Sequence, residues 1–388
     1  MKHALRPIRT VSTALGVSDG LDAIVVIPAR NEQRRISACL EALATAIETA
    51  RPVRTGVVVV VNNSDDATCD RALAWAVMHH NIPVQVIDCA FLPKHAHAGS
   101  ARRLGLDMAL NRLKPDGVLL TSDADSRVRP DWITRNLEEL TRADLVCGAF
   151  APDPEEARAL PAVVAMHCHV ETAYMAAAVK LAARLDPLPH DPDPPHLTAS
   201  GASLAFSRAL YEAVGGMPAV AMSEDRVFAA LADLHDFRVR HCNTAMVDTS
   251  CRMTGRTEGG MAGTLRARAV EKDPLVDQWL EPAATFVRRH ELRGRLRPAW
   301  GNPMALQTRL ADALGRGEAK RLMAAPLPDR FGAFLSRVEA DSAALERVRM
   351  RMSECRTELP RLDGYLQALT GHLQSFGEPS SQTQRASG

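Results

Sequence analysis

The run Ala23-Ile24-Val25-Val26-Ile27-Pro28 is continuously apolar and ends in proline. Such a run is typical of a strand that is buried on both faces of a parallel sheet. Residues 33–49 then change to helical spacing, and apolar strand-like runs recur at residues 56–61, 84–88 and 117–121 with helical stretches between them. This alternation predicts an α/β fold, a Rossmann-like and mostly parallel central sheet flanked by helices.

The second half of the chain has a less regular pattern. Helical spacing covers residues 157–185, and the proline- and aspartate-rich residues 186–196 predict a loop, because proline lacks an amide donor. Strand character returns at residues 198–207 and 239–247, with a short helix between them. Past Val270 the pattern is wholly helical, so we expect a C-terminal helical appendage.

Domain boundaries follow from where the alternation starts and stops. We expect an N-terminal extension (1–21), a sheet domain (22–268), a helical C-terminal region (269–376) and a disordered tail (377–388). The tail is rich in Ser, Gln and Gly, a composition that cannot bury enough apolar surface to fold.

The charge balance excludes some partners. The 47 basic and 46 acidic side chains give a formal charge of +1, so no strong global field attracts nucleic acid or an anionic membrane. Aromatic residues are only 4% of the chain, which disfavours the base stacking of single-strand binders. We expect no nucleic-acid partner.

Targeting and redox signals point to one compartment. The N-terminus lacks the apolar stretch of a signal peptide, and no run approaches the ~20 apolar residues that span a bilayer. The eight cysteines form no CxxC pair and are typical of reduced thiols. The sequence therefore predicts a cytoplasmic protein with no transmembrane segment.

The strongest chemical signal is Thr121-Ser122-Asp123-Ala124-Asp125-Ser126, which places two carboxylates one residue apart after a buried strand. Ligands of such sheets bind at the carboxyl ends of the strands. Hard oxygen ligands at that place suit Mg2+ or Mn2+ holding a diphosphate. An Asp-rich turn or a helix N-cap is the alternative interpretation.

Other polar groups follow the predicted strands in a fixed order. They are Pro28-Ala29-Arg30-Asn31-Glu32, Asn62-Asn63-Ser64-Asp65-Asp66, Gly99-Ser100-Ala101-Arg102, the Asp123 and Asp125 pair, and Glu224-Asp225. This ordered set resembles the GT-A fold of family 2 glycosyltransferases over about residues 23–256. The combination is specific for that fold, and none of its parts is specific alone.

The resemblance implies an enzyme that moves a sugar from a nucleotide-diphosphate donor, a UDP- or GDP-sugar, to a hydroxyl of a small-molecule, lipid or glycan acceptor. It implies Mn2+ or Mg2+ held by Asp123 and Asp125. It also implies a donor site in which Asn63 faces the base and Arg102 reaches the base or diphosphate. The donor-binding residues it implies are Pro28, Ala29, Glu32, Asn63, Asp65, Arg102, Asp123, Ala124 and Asp125.

The same resemblance implies that Asp225 is the catalytic base. With one base and no second nucleophile recognisable, displacement is expected to invert the anomeric configuration. Glu224 is the natural competitor, because neighbouring helical residues diverge and only one can face the sugar. Alternatively, Ser223-Glu224-Asp225 merely caps a helix and interacts with its dipole.

Residues 249–256 resemble the segment that closes over the donor in this family. Arg252 and Arg256 are therefore candidate phosphate contacts, and the alternative is that they are solvated loop arginines. The C-terminal helices are expected to serve packing, acceptor choice or self-association into a homo-oligomer.

Two departures from the family pattern matter. Many relatives carry an acidic residue where this chain has Asn63, and an amide can donate as well as accept, so the nucleotide is left open. The QxxRW signature of membrane-embedded processive relatives is absent, which favours single addition.

Two other functions compete with sugar transfer. A nucleotidyltransferase shares the sheet and the acidic pair, but usually has a Gly-rich loop after the first strand. A catalytically silent sugar-nucleotide binding or scaffold protein has no chemical need to keep Asp123, Asp125 and Asp225 together.

Overall fold

The computed structural model describes residues 7–16, 18–255 and 260–375 of the chain. A nine-stranded sheet lies at its centre, in the order β1-β4-β3-β2-β5-β8-β7-β9-β6. The strands are β1 (Arg9–Leu15), β2 (Leu21–Ala29), β3 (Thr55–Asn62), β4 (Val84–Ala90), β5 (Leu113–Thr121), β6 (Ser126–Val128), β7 (Leu145–Pro152), β8 (Leu204–Ser207) and β9 (Val239–Thr249).

Helices surround the sheet and make up the C-terminal region. The sheet helices are α1 (Ile36–Thr49), α2 (Thr68–Met78), α3 (Ala98–Ala109), α4 (Trp132–Leu140), α5 (Pro154–Arg158), α6 (Ala162–Leu185), α7 (Arg208–Ala213) and α8 (Glu224–Leu234). The later helices are α9 (Met261–Val270), α10 (Ala283–Leu296), α11 (Pro303–Leu314), α12 (Arg316–Leu322), α13 (Phe331–Asp341) and α14 (Met352–Ser375).

The centre of the sheet is parallel, as the apolar runs predicted. Strands β4, β3, β2 and β5 run in one direction, and every residue of β3 is buried. Five of its 8 residues are valine, whose branched side chains suit a pleated surface covered on both faces. Ala29 pairs with Val61 and Val26 with Thr121, so the loops after β2, β3 and β5 leave the sheet at one edge.

The two faces of the sheet have separate cores. Val25 and Ile27 pack with α1, α2 and α4 on one face, whereas Ile24 and Val26 pack with α3, α7 and α8 on the other. The alternation arises because successive strand side chains point to opposite faces. The mixed α/β architecture with C-terminal helices is therefore confirmed.

Three regions differ from the expected pattern. The N-terminal extension contributes the edge strand β1, antiparallel to β4. Residues 198–203 form a loop before β8 instead of part of the strand, and residues 271–282 interrupt the predicted run of helices. Pro274 and Pro282 explain the interruption, because proline donates no backbone hydrogen bond and disfavours helix in the residue before it. The predicted tail at 377–388 lies outside the described residues.

One helix, α6, is long and apolar enough by length and composition alone to cross a membrane, although no run of the sequence suggested one. Tyr174, Ala178 and Leu181 of this helix are buried in a core shared with α10 and α14. Its Glu171 forms an ion pair with Arg268 of α9. Packing within the fold therefore accounts for part of the apolar composition of α6, whose Val163 and Met166 are exposed.

Candidate functional site

Two loops at the carboxyl edge of the sheet are joined into one cradle. The backbone amide of Asn31 donates to Ser64 Oγ, and that of Asp65 donates to Asn31 Oδ1, both at 3.0 Å. The amide of Glu32 donates to Thr68 Oγ1 at 2.8 Å. These bonds tie the loop after β2 to the loop after β3, so the surface predicted to hold the nucleotide is preorganised.

Three of the predicted donor-binding residues are apolar and buried. Pro28 and Ala29 are the last residues of β2, and Ala124 is 3% exposed in the same core as Ala29. Their side chains shape the fold, and a ligand can reach these positions chiefly through the backbone. Asp65, by contrast, has an exposed side chain at the rim of the cradle.

Asn63 makes two bonds with the backbone of Phe91. Its Nδ2 donates to the Phe91 carbonyl at 2.9 Å, and its Oδ1 accepts from the Phe91 amide at 3.0 Å. A carboxylate could not make the first of these bonds. To contact a nucleotide base, this amide would have to give up one of its two bonds to Phe91. The predicted role of Asn63 therefore stays a prediction.

Arg102 lies at the centre of the site. Its side chain is 2% exposed, and its Nη2 donates to Asp123 Oδ1 at 2.7 Å while Nε donates to Glu224 Oε1 at 3.1 Å. Nη1 donates to the carbonyl of Gly201 at 2.9 Å. Burial opposes the charged form, but Asp123 and Glu224 keep the pKa of Arg102 above its usual value. This buried guanidinium joins the acidic motif to the start of α8.

Arg252 holds the second half of the acidic motif. It donates to both carboxylate oxygens of Glu32, at 2.7 Å from Nη1 to Oε2, and lies 2.9 Å from Asp125 Oδ2. Burial raises the pKa of Asp125 to about 7, and the neighbouring Asp123 adds to the rise while Arg252 opposes it. Asp125 therefore lies between a second carboxylate, which disfavours its charged form, and a guanidinium, which favours it.

Asp225 is held by backbone amides. Its Oδ2 accepts from the Gly201 amide at 2.7 Å, and its Oδ1 accepts from the Arg226 amide at 2.8 Å. Glu224 beside it is 7% exposed, and burial raises its pKa although Arg102 opposes the rise. The two carboxylates therefore differ, since Glu224 is buried against a guanidinium and Asp225 is half-buried with lone pairs left to accept a proton.

The donor set fits a divalent metal ion only in combination with a ligand. Within residues 7–16, 18–255 and 260–375, no cluster of three or more His, Cys, Asp and Glu side chains could hold a metal by itself. Five carboxylates nevertheless line the site against two guanidiniums, and Asp123 and Asp125 offer the hard oxygens that Mn2+ and Mg2+ prefer. The carboxylates are Glu32, Asp123, Asp125, Glu224 and Asp225, and the guanidiniums are those of Arg102 and Arg252.

Sequence reasoning missed Gly201. A Cβ at this position would lie 2.5 Å from Arg102 Nη2, so only glycine lets the backbone approach the guanidinium. Gly201 lies inside the predicted strand at residues 198–207, and an isolated glycine inside a strand pattern indicates a close backbone approach. That signal was available in the sequence. Arg256, the other candidate phosphate contact, lies outside the described residues.

The fold and the site together define an α/β protein with a cluster of acidic side chains at the carboxyl edge of its sheet. Residues 24–171 match the family model described as Glycosyl transferase family 2. That segment is family 2 glycosyltransferase sequence, which confirms the resemblance, and it contains the cradle, Arg102 and the acidic motif. The match covers less than half of the 388-residue chain, and Asp225 and Arg252 lie beyond it.

Several solved structures are similar in outline. A mannosyltransferase from Pyrobaculum calidifontis in complex with GDP-Man and Mn2+ is 17% identical, with 94% of this chain and 90% of that chain covered and a TM-score of 0.42. TarS 1–349 from S. aureus in complex with UDP-GlcNAc is 15% identical, with 92% of each chain covered and a TM-score of 0.45.

A third similar structure is glucosyl-3-phosphoglycerate synthase from Mycobacterium tuberculosis, in complex with Mn2+, UDP and glucosyl-3-phosphoglycerate. It is 16% identical, with 65% of this chain and 79% of that chain covered and a TM-score of 0.36. At these TM-scores the likenesses carry no conclusion about the substrates of this chain. No curated protein matches the sequence.

Proposed function

We propose that this protein is an inverting, metal-assisted glycosyltransferase that moves a sugar from a UDP- or GDP-sugar to an acceptor hydroxyl, with Asp225 as the general base. The observation that supports this most is the position of Arg102, which bonds both Asp123 and Glu224. Through it the predicted donor side and the predicted acceptor side form one site.

The metal ion fits between protein and donor. Asp123 and Asp125 would hold Mn2+ or Mg2+ together with oxygens of the diphosphate. When bound, the ion would neutralise the negative charge that develops on the departing nucleoside diphosphate. Arg252 pairs with Glu32 and Asp125 in this structure. Its guanidinium would be a second positive group that binds the diphosphate oxygens.

The transfer itself is a single displacement at the anomeric carbon. The acceptor hydroxyl gives its proton to Asp225 while its oxygen forms a bond to the anomeric carbon. The bond from that carbon to the diphosphate oxygen breaks, and the nucleoside diphosphate leaves with the bonding electrons. Attack from the side opposite the leaving group inverts the anomeric configuration.

Burial favours Asp225 over Glu224 as the base. The carboxylate of Glu224 is paired with Arg102 and is almost inaccessible to a substrate. Asp225 is oriented by the Gly201 and Arg226 amides, and a carboxylate has about four acceptor positions, so the two bonds leave room for a hydroxyl. A base held in this way needs little reorganisation during the reaction.

The test uses the full chain with MnCl2 and a panel of UDP- and GDP-hexoses. We expect release of a nucleoside diphosphate, and Asp225→Asn should lower turnover by about 100-fold to 10,000-fold, the usual effect of losing a general base. Donor affinity measured by calorimetry should be unchanged, because Asn still accepts from the Gly201 amide.

The matched control is Asp248→Asn, since Asp248 forms a partly exposed ion pair with Arg129. It should leave turnover unchanged. Release of pyrophosphate would instead indicate nucleotidyl transfer. A folded Asp225→Asn protein with near-normal turnover would remove this residue from the mechanism.

A further inference from the structure

Three consecutive side chains in the first turn of α8 bond to three different parts of the chain. Glu224 pairs with Arg102 of α3, and Asp225 accepts from the Gly201 amide in the loop before β8. The next residue, Arg226, pairs with Asp277 in the segment after α9. The first two contacts belong to the site described above, whereas the third reaches into the C-terminal region.

Two hydrogen bonds join the guanidinium of Arg226 to the carboxylate of Asp277. Nη2 donates to Oδ2 at 2.6 Å, and Nη1 donates to Oδ1 at 3.3 Å. Their side chains are 24% and 19% exposed. A fork-like pair that is largely shielded from water fixes direction as well as distance, unlike most surface ion pairs.

Asp277 is itself held in place. Its Oδ1 also accepts from the Trp279 amide at 2.9 Å, and its own amide donates to Glu171 of α6. Glu171 pairs in turn with Arg268 of α9. The carboxylate that meets Arg226 is therefore anchored to two helices outside the sheet.

The segment that carries Asp277 is also packed firmly. Val276 and Leu280 are buried in the core that α6 shares with α10 and α14. The hydroxyl of Tyr174 donates to the carbonyl of Glu281 at 2.7 Å. A side chain on such a firmly packed segment can hold a neighbouring helix in place, because packing and hydrogen bonds already fix its own position.

The start of α8 needs such support. Ser223 precedes the helix in the left-handed conformation, with a φ of 59°, and in the described part of the chain its side chain makes no capping hydrogen bond. Val220 and Met222 just before it are exposed. Apart from the bond that the Arg226 amide donates to Asp225 Oδ1, a helix start without an N-cap side chain depends on bonds to other elements to hold it in place.

We propose that Asp277 is a positioning residue for the reaction. Through Arg226 it holds the first turn of α8, so that Asp225 keeps its bond to Gly201 and faces the acceptor. This inference rests on the proposed function in one respect, the role of Asp225 as the base. The contacts among Asp277, Arg226 and the first turn of α8 do not depend on that function. It makes the C-terminal region part of the machinery that aligns the active centre.

The test measures Asp225 orientation and turnover separately in Asp277→Asn. Hydrogen exchange of a peptide covering the Gly201 amide reports whether that amide keeps its acceptor, and no acceptor sugar is needed. We expect faster exchange there, and a kcat for MnCl2-dependent donor turnover lowered about tenfold with the donor KM unchanged, which corresponds to about 1.4 kcal/mol in the transition state.

Arg226→Gln breaks the same pair from the other side and leaves the bonds of Asp277 to Glu171 and Trp279 in place. It should reproduce both effects. Arg226→Lys keeps the charge without the fork and should restore part of kcat. Asp248→Asn is the control and should change neither reading.

The outcomes separate the two proposals. If folded Asp277→Asn and Arg226→Gln keep wild-type exchange at Gly201 and wild-type kcat, while Asp225→Asn abolishes turnover, the positioning role is overturned and the proposed function stands. If Asp225→Asn turns over normally but Asp277→Asn still accelerates exchange at Gly201, the orienting role stands and the base assignment fails.

Discussion

The backbone amide of Gly201 donates to Asp225 Oδ2 at 2.7 Å. The carbonyl of the same glycine accepts from Arg102 Nη1 at 2.9 Å. One residue in the loop before β8 therefore touches both the proposed base and the buried guanidinium that holds the acidic motif. The loop links the two halves of the site.

We predict that Gly201→Ala damages the site. The new Cβ would lie 2.5 Å from Arg102 Nη2, so the guanidinium or the loop must shift. Overpacking of this kind costs about 1–3 kcal/mol, and chemical denaturation would measure it. Gly317→Ala is the control, because nothing lies within 4 Å of the added carbon. Equal stability and equal turnover in both variants would contradict the role given to Gly201.

We predict that donor binding requires a divalent cation. Asp123 and Asp125 bring negative charge beside a diphosphate that is itself anionic, and a cation between them relieves the repulsion. Calorimetry in EDTA should show donor affinity at least about tenfold weaker than in Mn2+, a difference of about 1.4 kcal/mol. Asp125→Asn should lose most of this metal dependence. Identical affinity with and without metal would refute the prediction.

Arg252→Ala should change metal and donor binding in opposite directions. Arg252 lies against Glu32 and Asp125, so a metal ion that binds without donor must compete with its charge. We expect Mn2+ alone to bind about tenfold tighter, and a UDP- or GDP-sugar to bind more weakly through loss of a phosphate contact.

The control for that prediction is Arg129→Ala, which removes a partly exposed pair with Asp248. It should leave both affinities unchanged. Paramagnetic resonance of free Mn2+ would measure the first affinity without any catalytic assay. An unchanged Mn2+ affinity in Arg252→Ala would show that the guanidinium does not compete for Asp125.

His290 should make the fold sensitive to acid. Burial lowers its pKa to about 3, with Arg293 adding to the effect, while its ring stacks on Phe286 at 4.1 Å. Because the unfolded chain takes up a proton near pH 6.5 and the folded chain does not, protonation favours the unfolded chain below pH 6.5 and has no effect above it. The free energy of unfolding therefore falls by up to about 1.4 kcal/mol per pH unit as the pH drops from 6.5 toward 3.

The matched variant is His290→Gln, which can still donate to the carbonyl of Phe286, the partner of His290 Nδ1 at 2.9 Å. Denaturant unfolding at pH 7, 6, 5 and 4 would give the difference in unfolding free energy between the variant and the wild type. That difference should shift in favour of the variant as the pH falls. A difference independent of pH would show that His290 does not titrate in the way described.

Much of the fold was predictable from local patterns. The valine run of β3 and the apolar run of β2 identify central parallel strands, and the polar residues after them mark the ligand edge. Prediction failed where long-range contacts decide the structure. The helical spacing before Gly117 gave no sign that β5 begins at Leu113, where Leu113 pairs with Leu21 beyond an irregularity in the ladder.

The candidate site was only partly predictable. The acidic motif, Arg102 and Asp225 were selected by type and order, and the structure brings Asp123 and Arg102 into contact. Nothing local marked Asp277 as the partner of Arg226. The sequence also could not show that Asn63 bonds the backbone of Phe91, because that requires knowing which loop lies beside it.

The sequence by itself determined the parallel centre of the sheet, the edge that carries the polar motifs and the family match of residues 24–171, because apolar periodicity and motif order are properties of short segments. The tertiary structure alone decided the charge pairs. Arg102 meets Glu224 across 122 residues, and Arg252 meets Glu32 across 220. Whether a charged side chain is solvated or buried against an opposite charge depends on which segments the folded core brings together, and local pattern does not contain that information.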